Sequence, residues 1–266
     1  MSGNVYAAID LGTNNCRLLI AQVRNNAFRV IDSFSRIVRL GEGLSRNDRL
    51  NAEAIERTIE ALRICADKMH DKGVGKSRSI ATEACRRATD SDAFYKRVFG
   101  ETGIQLETIS TEQEAQLTLD GCAQLLDDKV SRAIVFDIGG GSTELMWVER
   151  TSAGAAIVLA MLSLPIGVVT LLEKYGSGII ERIHYEEIIA QVENALHPFD
   201  QQHGISDYLA SHDFQLLGTS GTVTTLGGLY LNLPRYNRAK VDGLDMRVET
   251  ITAISDRLAS MDHDQR

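Results

Sequence analysis

The sequence predicts an α/β protein made of two similar domains, each a mixed sheet flanked by helices, with a ligand cleft between them. Three observations predict it. An apolar run ending in aspartate and then glycine occurs twice, as Ala8-Ile9-Asp10-Leu11-Gly12-Thr13-Asn14 and as Phe136-Asp137-Ile138-Gly139-Gly140-Gly141-Ser142-Thr143, about half the chain apart. The order of strand-like and helix-like segments around the first copy is repeated around the second. The chain has 266 residues of which 44% are hydrophobic, enough for two ordinary cores.

Taken in order, Val5 to Asp10, Cys16 to Val23 and Phe28 to Ile37 read as strands of an antiparallel meander, joined at Gly12-Thr13-Asn14-Asn15 and at Asn25-Asn26. From Asn51, the residues Ile55, Ile59, Leu62, Ala66 and Met69 recur at helical spacing with charges between them, an amphipathic helix able to cover one sheet face. Ser79 to Thr82 reads as a short strand, Ser91 to Phe99 as a helix and Gln105 to Ile109 as a strand. A helix opens at Thr111, and the domain boundary is placed within it, giving domains of 1–124 and 125–266. The second half reads as strands Ala133 to Asp137, Thr143 to Glu149 and Ala156 to Met161, and helices Val168 to Tyr175 and Tyr185 to Leu196. A last strand, Gln215 to Gly218, enters a helix through the turn Gly218-Thr219-Ser220-Gly221-Thr222.

Composition narrows the function classes. The amino terminus carries no charged segment followed by a long apolar run, and no stretch is long enough to cross a bilayer, so a cytoplasmic protein without membrane association is expected. Cys16, Cys65, Cys85 and Cys122 form no paired motif, which suggests neither zinc nor disulfides. The net charge of −8 argues against nucleic acid as a partner. Its distribution is uneven: 18 basic against 19 acidic residues in 1–130, and 10 against 17 in 131–266, so a polyanion would meet its cations mainly on the first half. His70, His184, His197, His203, His212 and His263 show no metal-ligand spacing and read as surface or packing residues, and Trp147 as a core or interface residue.

In each glycine corner the absent side chains let backbone N–H groups approach an anion, and the aspartate can hold a divalent ion or its waters on the same anion. Gly12, Thr13 and Asn14, then Gly139, Gly140, Gly141, Ser142 and Thr143, and finally Gly218, Ser220, Gly221 and Thr222 are therefore candidate phosphate ligands. Arg86 offers a planar fork for two phosphate oxygens, with Arg87 and Arg17 as secondary candidates. Glu114 admits two readings, because Thr111-Glu112-Gln113-Glu114 also spells a capping box.

The order D-x-G-T-N, A-T-x-A-x-R (Ala81 to Arg86), Glu114-Ala115, D-I-G-G-G-S-T-E (Asp137 to Glu144) and G-T-S-G-T resembles the exopolyphosphatase and guanosine pentaphosphate phosphohydrolase family. That family belongs to the actin-like, ribonuclease H-like superfamily, so the resemblance implies two actin-like domains. It implies that Glu114 activates the attacking water and that Asp137 and Glu144, with Asp10 as a third contributor, hold Mg2+ or another divalent cation. It implies as substrate inorganic polyphosphate, shortened one phosphate at a time from its end, or alternatively the pppGpp of the stringent response. A nucleotide-binding switch or filament protein, and a sugar kinase, share the same corners and stay as rival classes. Family members continue beyond the equivalent of Met261 with a further strand and helix. A homodimer stays open.

Overall fold

The computed structural model describes residues 5–24, 27–151, 154–176 and 182–261. The expected turn at Asn25-Asn26, and His263, lie outside the described residues.

Three antiparallel strands open the chain, β1 (Val5–Leu11), β2 (Asn15–Arg24) and β3 (Ala27–Ile37). On β1, Val5, Ala7, Ile9 and Leu11 are buried while Tyr6 and Ala8 face out, the two-residue alternation of a strand with one face on a core. There follow α1 (Leu44–Asn47), α2 (Ala52–Asp71), β4 (Lys76–Ala81), α3 (Glu83–Arg87), α4 (Ser91–Thr102) and β5 (Glu107–Thr108). The sheet order is β3-β2-β1-β4-β5, with β4 parallel to both of its neighbours.

Helix α2 starts where Asn51 accepts hydrogen bonds from the amides of Glu53 (2.8 Å) and Ala54 (3.3 Å), an N-cap that satisfies two orphan donors. Ile59 and Leu62 of its apolar stripe are wholly buried, and Ile55, Ala66 and Met69 pack around them. With Leu11, Ile20, Leu40 and Val98 they make the first core.

The order then repeats. After α5 (Thr111–Cys122) and a 3-10 turn (Ala123–Leu125) come β6 (Arg132–Ile138), β7 (Thr143–Arg150), β8 (Ala156–Leu164), α6 (Val168–Tyr175), α7 (Arg182–His203) and α8 (Ile205–Leu209). The described chain closes with β9 (Gln215–Thr219), α9 (Ser220–Tyr230), α10 (Arg238–Val241) and α11 (Val248–Ser260). The second sheet, β8-β7-β6-β9, repeats the first from its meander to its parallel strand. Its core gathers Leu119, Val135, Met146 and Val148, and a separate cluster holds Trp147, Phe199 and Ile205. By packing, the chain divides into two compact units, Met1–Glu114 with Gly167–Thr170 and Ala115–Ile166 with Leu171–Arg266. Two mixed sheets flanked by helices are the actin-like class that the family resemblance implies.

Several elements differ from the sequence expectation. Helix α7 does not stop at Leu196 but runs through Pro198, which removes one backbone donor. Phe199, buried beside Trp147, anchors the turn beyond the proline. The strand expected over Gln105 to Ile109 shrinks to two residues, and the five-residue helix α3 carries Arg86, which the sequence reading placed simply after a strand. All four cysteines are free and buried.

Candidate active site

The two glycine corners are the same structure. In the first, β1 and β2 pair Asp10 with Arg17 and Leu11 with Cys16, and the Gly12 amide donates to the Asn15 carbonyl at 2.9 Å. In the second, β6 and β7 pair Asp137 with Glu144 and Ile138 with Thr143, and the Gly139 amide donates to the Ser142 carbonyl at 2.9 Å. Asp10 to Arg17 and Asp137 to Glu144 thus correspond residue for residue. Among the described residues no acceptor is found for the backbone N–H groups of Thr13, Asn14, Gly140 and Gly141, at the tips of the two hairpins. Thr13 and Gly141 are themselves buried. Turn amides without an acceptor in the protein can meet an anion, which is what the candidate phosphate ligands require. A Cβ on Gly139 would stand 3.0 Å from the Ser142 carbonyl oxygen, so the tight turn itself requires glycine there.

Directly opposed residues of neighbouring strands project from the same sheet face. Across the second sheet this aligns Thr219, Asp137, Glu144 and Ser163 in one polar row. Glu144 is buried and accepts a hydrogen bond from the Ser163 hydroxyl at 2.9 Å. The matching row of the first sheet is Ile80, Asp10, Arg17 and Ser35, where the Arg17 guanidinium lies 3.8 Å from the Asp10 carboxylate. Of the three carboxylates that the sequence assigns to a cation, Asp137 and Glu144 share one face, and Asp10 occupies the corresponding place in the other unit. No group of three or more His, Cys, Asp or Glu side chains able to hold a metal ion occurs among the described residues. Two neighbouring carboxylates with hydroxyls beside them fit magnesium, which takes one or two carboxylates and completes its shell with water and phosphate oxygens.

The first unit also assembles Arg86 and Glu114. The Arg86 Nη1 donates to Glu114 Oε2 at 2.8 Å and to the Ile109 carbonyl at 3.0 Å, and its Nη2 lies 3.6 Å from Glu83 Oε2. Both members of the Arg86–Glu114 pair are largely buried, with side-chain exposures of 16% and 25%. The capping-box reading of Thr111 and Glu114 is corrected. The box is one residue earlier, where the Ser110 hydroxyl accepts from the Gln113 amide (3.2 Å) and the Gln113 side chain accepts from the Ser110 amide (3.1 Å). Glu114 is thereby released from the cap and turned to Arg86. The Glu112 carboxyl is held below the usual range by the Ser110 hydroxyl and its own backbone N–H, with Arg86 adding a smaller pull.

The third glycine turn is mixed in purpose. A Cβ on Gly218 would stand 2.7 Å and 2.9 Å from ring atoms of Phe136 and 2.8 Å from Val223, so this glycine makes room for packing. The hydroxyls of Thr219 and Thr222 donate to the carbonyls of Phe136 (3.3 Å) and Ile138 (3.2 Å), tying the turn to the strand that carries Asp137. Ser220 starts α9 with φ of 75°, a left-handed conformation unusual outside glycine. Thr143 donates its hydroxyl to the Ile166 carbonyl at 2.7 Å. Arg87 lies near Glu83 (3.8 Å) and Asp48 (3.9 Å).

Trp147 is buried, as expected of a core residue, against Tyr208. His212 stacks on Tyr208, while His184 meets Tyr175 tilted and His203 meets Phe199 edge-on. Ser163, Glu83 and the Ile109 carbonyl escape sequence reasoning. Glu83 has a local signal in standing three residues before Arg86, whereas Ser163 is found only through the strand register.

An actin-like pair of sheets, each with an aspartate–glycine corner at the same strand end, defines a phosphate-handling protein. The chain belongs to the Ppx/GppA phosphatase family, whose model matches residues 19–266. An Aquifex aeolicus Ppx/GppA family member is 28% identical, with a TM-score of 0.76 over 98% of this chain and 81% of that one. A structure described as an exopolyphosphatase-like protein is 28% identical, with a TM-score of 0.86 over 100% of this chain and 81% of that one. An exopolyphosphatase from Cytophaga hutchinsonii is 21% identical, with a TM-score of 0.84 over 98% and 82%, a likeness that speaks to the fold alone. The chain is thus a hydrolase of phosphoanhydride bonds. No helix among the described residues is long and apolar enough to cross a membrane.

Proposed function

We propose that the protein is an exopolyphosphatase that removes terminal phosphate units from inorganic polyphosphate. The observation that carries this reading is the duplicated aspartate–glycine hairpin, with amides at both tips that have no acceptor among the described residues. In this reading the amides of Thr13 and Asn14, and those of Gly140, Gly141 and Ser142, donate to phosphate oxygens, and Arg86 neutralises their charge. The Ser220-Gly221-Thr222 turn adds donors at the start of α9.

Glu114 is the general base. A water attacks the terminal phosphorus, the bridging P–O bond breaks with its electron pair leaving on the shortened chain, and the water's proton passes to the Glu114 carboxylate. Arg86, which holds that carboxylate at 2.8 Å, fixes its direction before the water arrives. Asp137 and Glu144 would hold a magnesium ion, with Asp10 as an outer donor, and such an ion when bound offsets the charge of the phosphate oxygens.

The test is release of orthophosphate by the purified protein with magnesium, measured separately on long-chain polyphosphate and on pppGpp. The reading expects kcat/KM on polyphosphate to exceed that on pppGpp. Preference for pppGpp would replace the substrate while keeping the chemistry. Absence of release from both would refute the reading.

A further inference from the structure

We infer that Arg39 is a further substrate-binding residue, a guanidinium that grips the phosphate chain held at the first glycine corner. The inference rests on the proposed phosphohydrolase reading and adds a contact that neither the sequence motifs nor the two corners supply.

The segment after β3 is clipped onto the back of the first corner. The amides of Val38 (2.9 Å) and Arg39 (3.0 Å) both donate to the Asn14 carbonyl, and the Gly41 amide donates to the Thr13 carbonyl at 3.0 Å. The contact is close: a Cβ on Gly41 would stand 2.3 Å from the Thr13 methyl group, so only glycine lets the segment lie there. Val38 and Leu40 point into the core and are wholly buried, which turns Arg39 between them outward.

Two features of Arg39 then need a cause. Its φ is 49°, a left-handed conformation that a long side chain takes at a cost and that glycine or asparagine would take more readily. The bonds of the Val38 and Arg39 amides to the Asn14 carbonyl hold it there, and conformations of this cost cluster at ligand sites. Its guanidinium is also without an acidic partner among the described residues, as is that of Arg46, whereas Arg49 lies 3.3 Å from Asp90, Arg57 is 2.5 Å from Glu42, and Arg87 is 3.9 Å from Asp48. An arginine whose own backbone is bonded to the corner is tethered beside it, with an exposed fork. The matching chemistry is an anion with paired oxygens, and a phosphate chain presents them at every unit.

The test compares the wild-type chain with Arg39→Asn and Arg39→Gly, both of which accept the left-handed backbone, and with Arg39→Lys. Two readouts are taken: hydrolysis of polyphosphate, as kcat and KM, and equilibrium binding of polyphosphate without magnesium. Arg39→Asn and Arg39→Gly should raise both KM and Kd about tenfold with kcat within twofold and an unchanged Tm, and Arg39→Lys should recover part of the loss. Unchanged KM and Kd, or a fall in Tm that accounts for the loss, would overturn the assignment. If no variant and not even the wild type hydrolyses polyphosphate, the functional reading fails while the binding arm still decides Arg39.

Discussion

Replacing Glu114 by glutamine tests the proposed general base without touching the helix cap, which other residues make. The cap of α5 is made by Ser110 and Gln113, at 3.2 Å and 3.1 Å, so Glu114→Gln leaves it intact. What changes is the 2.8 Å contact with Arg86. A hydrogen bond to a charged group is worth about 1.5–3 kcal/mol, and the glutamine carbonyl still accepts from Nη1, so a loss of about 1 kcal/mol is expected. In a chain of this size that lowers Tm by about 2–4 °C. Catalysis should fall by about 10²–10⁴-fold in kcat, the range a positioned base supplies, while KM for polyphosphate stays within a fewfold, because an amide cannot take the water's proton. Orthophosphate release under saturating substrate, together with a thermal melt, measures both. Near-normal kcat in Glu114→Gln would refute the base assignment, whatever the melt shows.

Three further changes test the surrounding geometry. Ser110→Ala should cost about 1 kcal/mol of stability through loss of the cap and leave kcat on polyphosphate within a fewfold, which a melt and a rate assay resolve. Gly218→Ala should lose about 1–3 kcal/mol by overpacking against Phe136 and Val223, with Tm falling by several degrees, and a melt identical to wild type would contradict the packing role. Asp32 is held below the ordinary carboxylate range by the Lys68 ammonium, at 3.0 Å and 3.1 Å, and by the Ser33 amide. Because its folded pKa is depressed, the pair stabilises the fold above about pH 4 and the contribution is lost as pH falls through the depressed value. Asp32→Asn should therefore melt below wild type at pH 7, and the difference should shrink in melts taken at successively lower pH below about 4.

The elements carrying the corners were legible because their signals are local. Alternation along Val5 to Leu11 and the run from Arg132 to Ile138 are short-range patterns, and a glycine after a strand-ending aspartate has few uses. Helix α6 follows the same rule, its ends falling at Val168 and Tyr175 as expected. The register of the cap on α5 was not legible. Ser110-x-x-Gln113 and Thr111-x-x-Glu114 are both valid boxes one residue apart, and what decides between them is tertiary. The Ile109 amide donates to the Ala81 carbonyl at 3.2 Å and its side chain is buried, so the chain stays with the sheet to Ile109 and Ser110 is the first residue free to cap. The grip on Arg86 was hidden for the same reason, since Ile109 and Glu114 reach it from 23 and 28 residues away. Helix α7 passes Pro198 because Phe199 finds a buried place, a compensation that no local rule contains.

The duplication explains more than the fold when the two polar rows are compared. Each row has an aspartate at the strand end and a serine on the third strand, Ser35 in one and Ser163 in the other. The residue between them changes sign: Arg17 in the first row, Glu144 in the second. A corner whose aspartate lies 3.8 Å from a guanidinium presents little net charge, and its amides can meet an anion directly. In the second row two carboxylates face each other across the strands, and like charges on one sheet face disfavour each other. For the proposed cation site, Glu144 is therefore the residue that tells the two corners apart, since the aspartate is common to both. The two hairpins share their backbone turn, their strand-end aspartate and the glycine that follows, and the residue opposite that aspartate is what separates a corner holding a carboxylate–guanidinium pair from one holding two carboxylates.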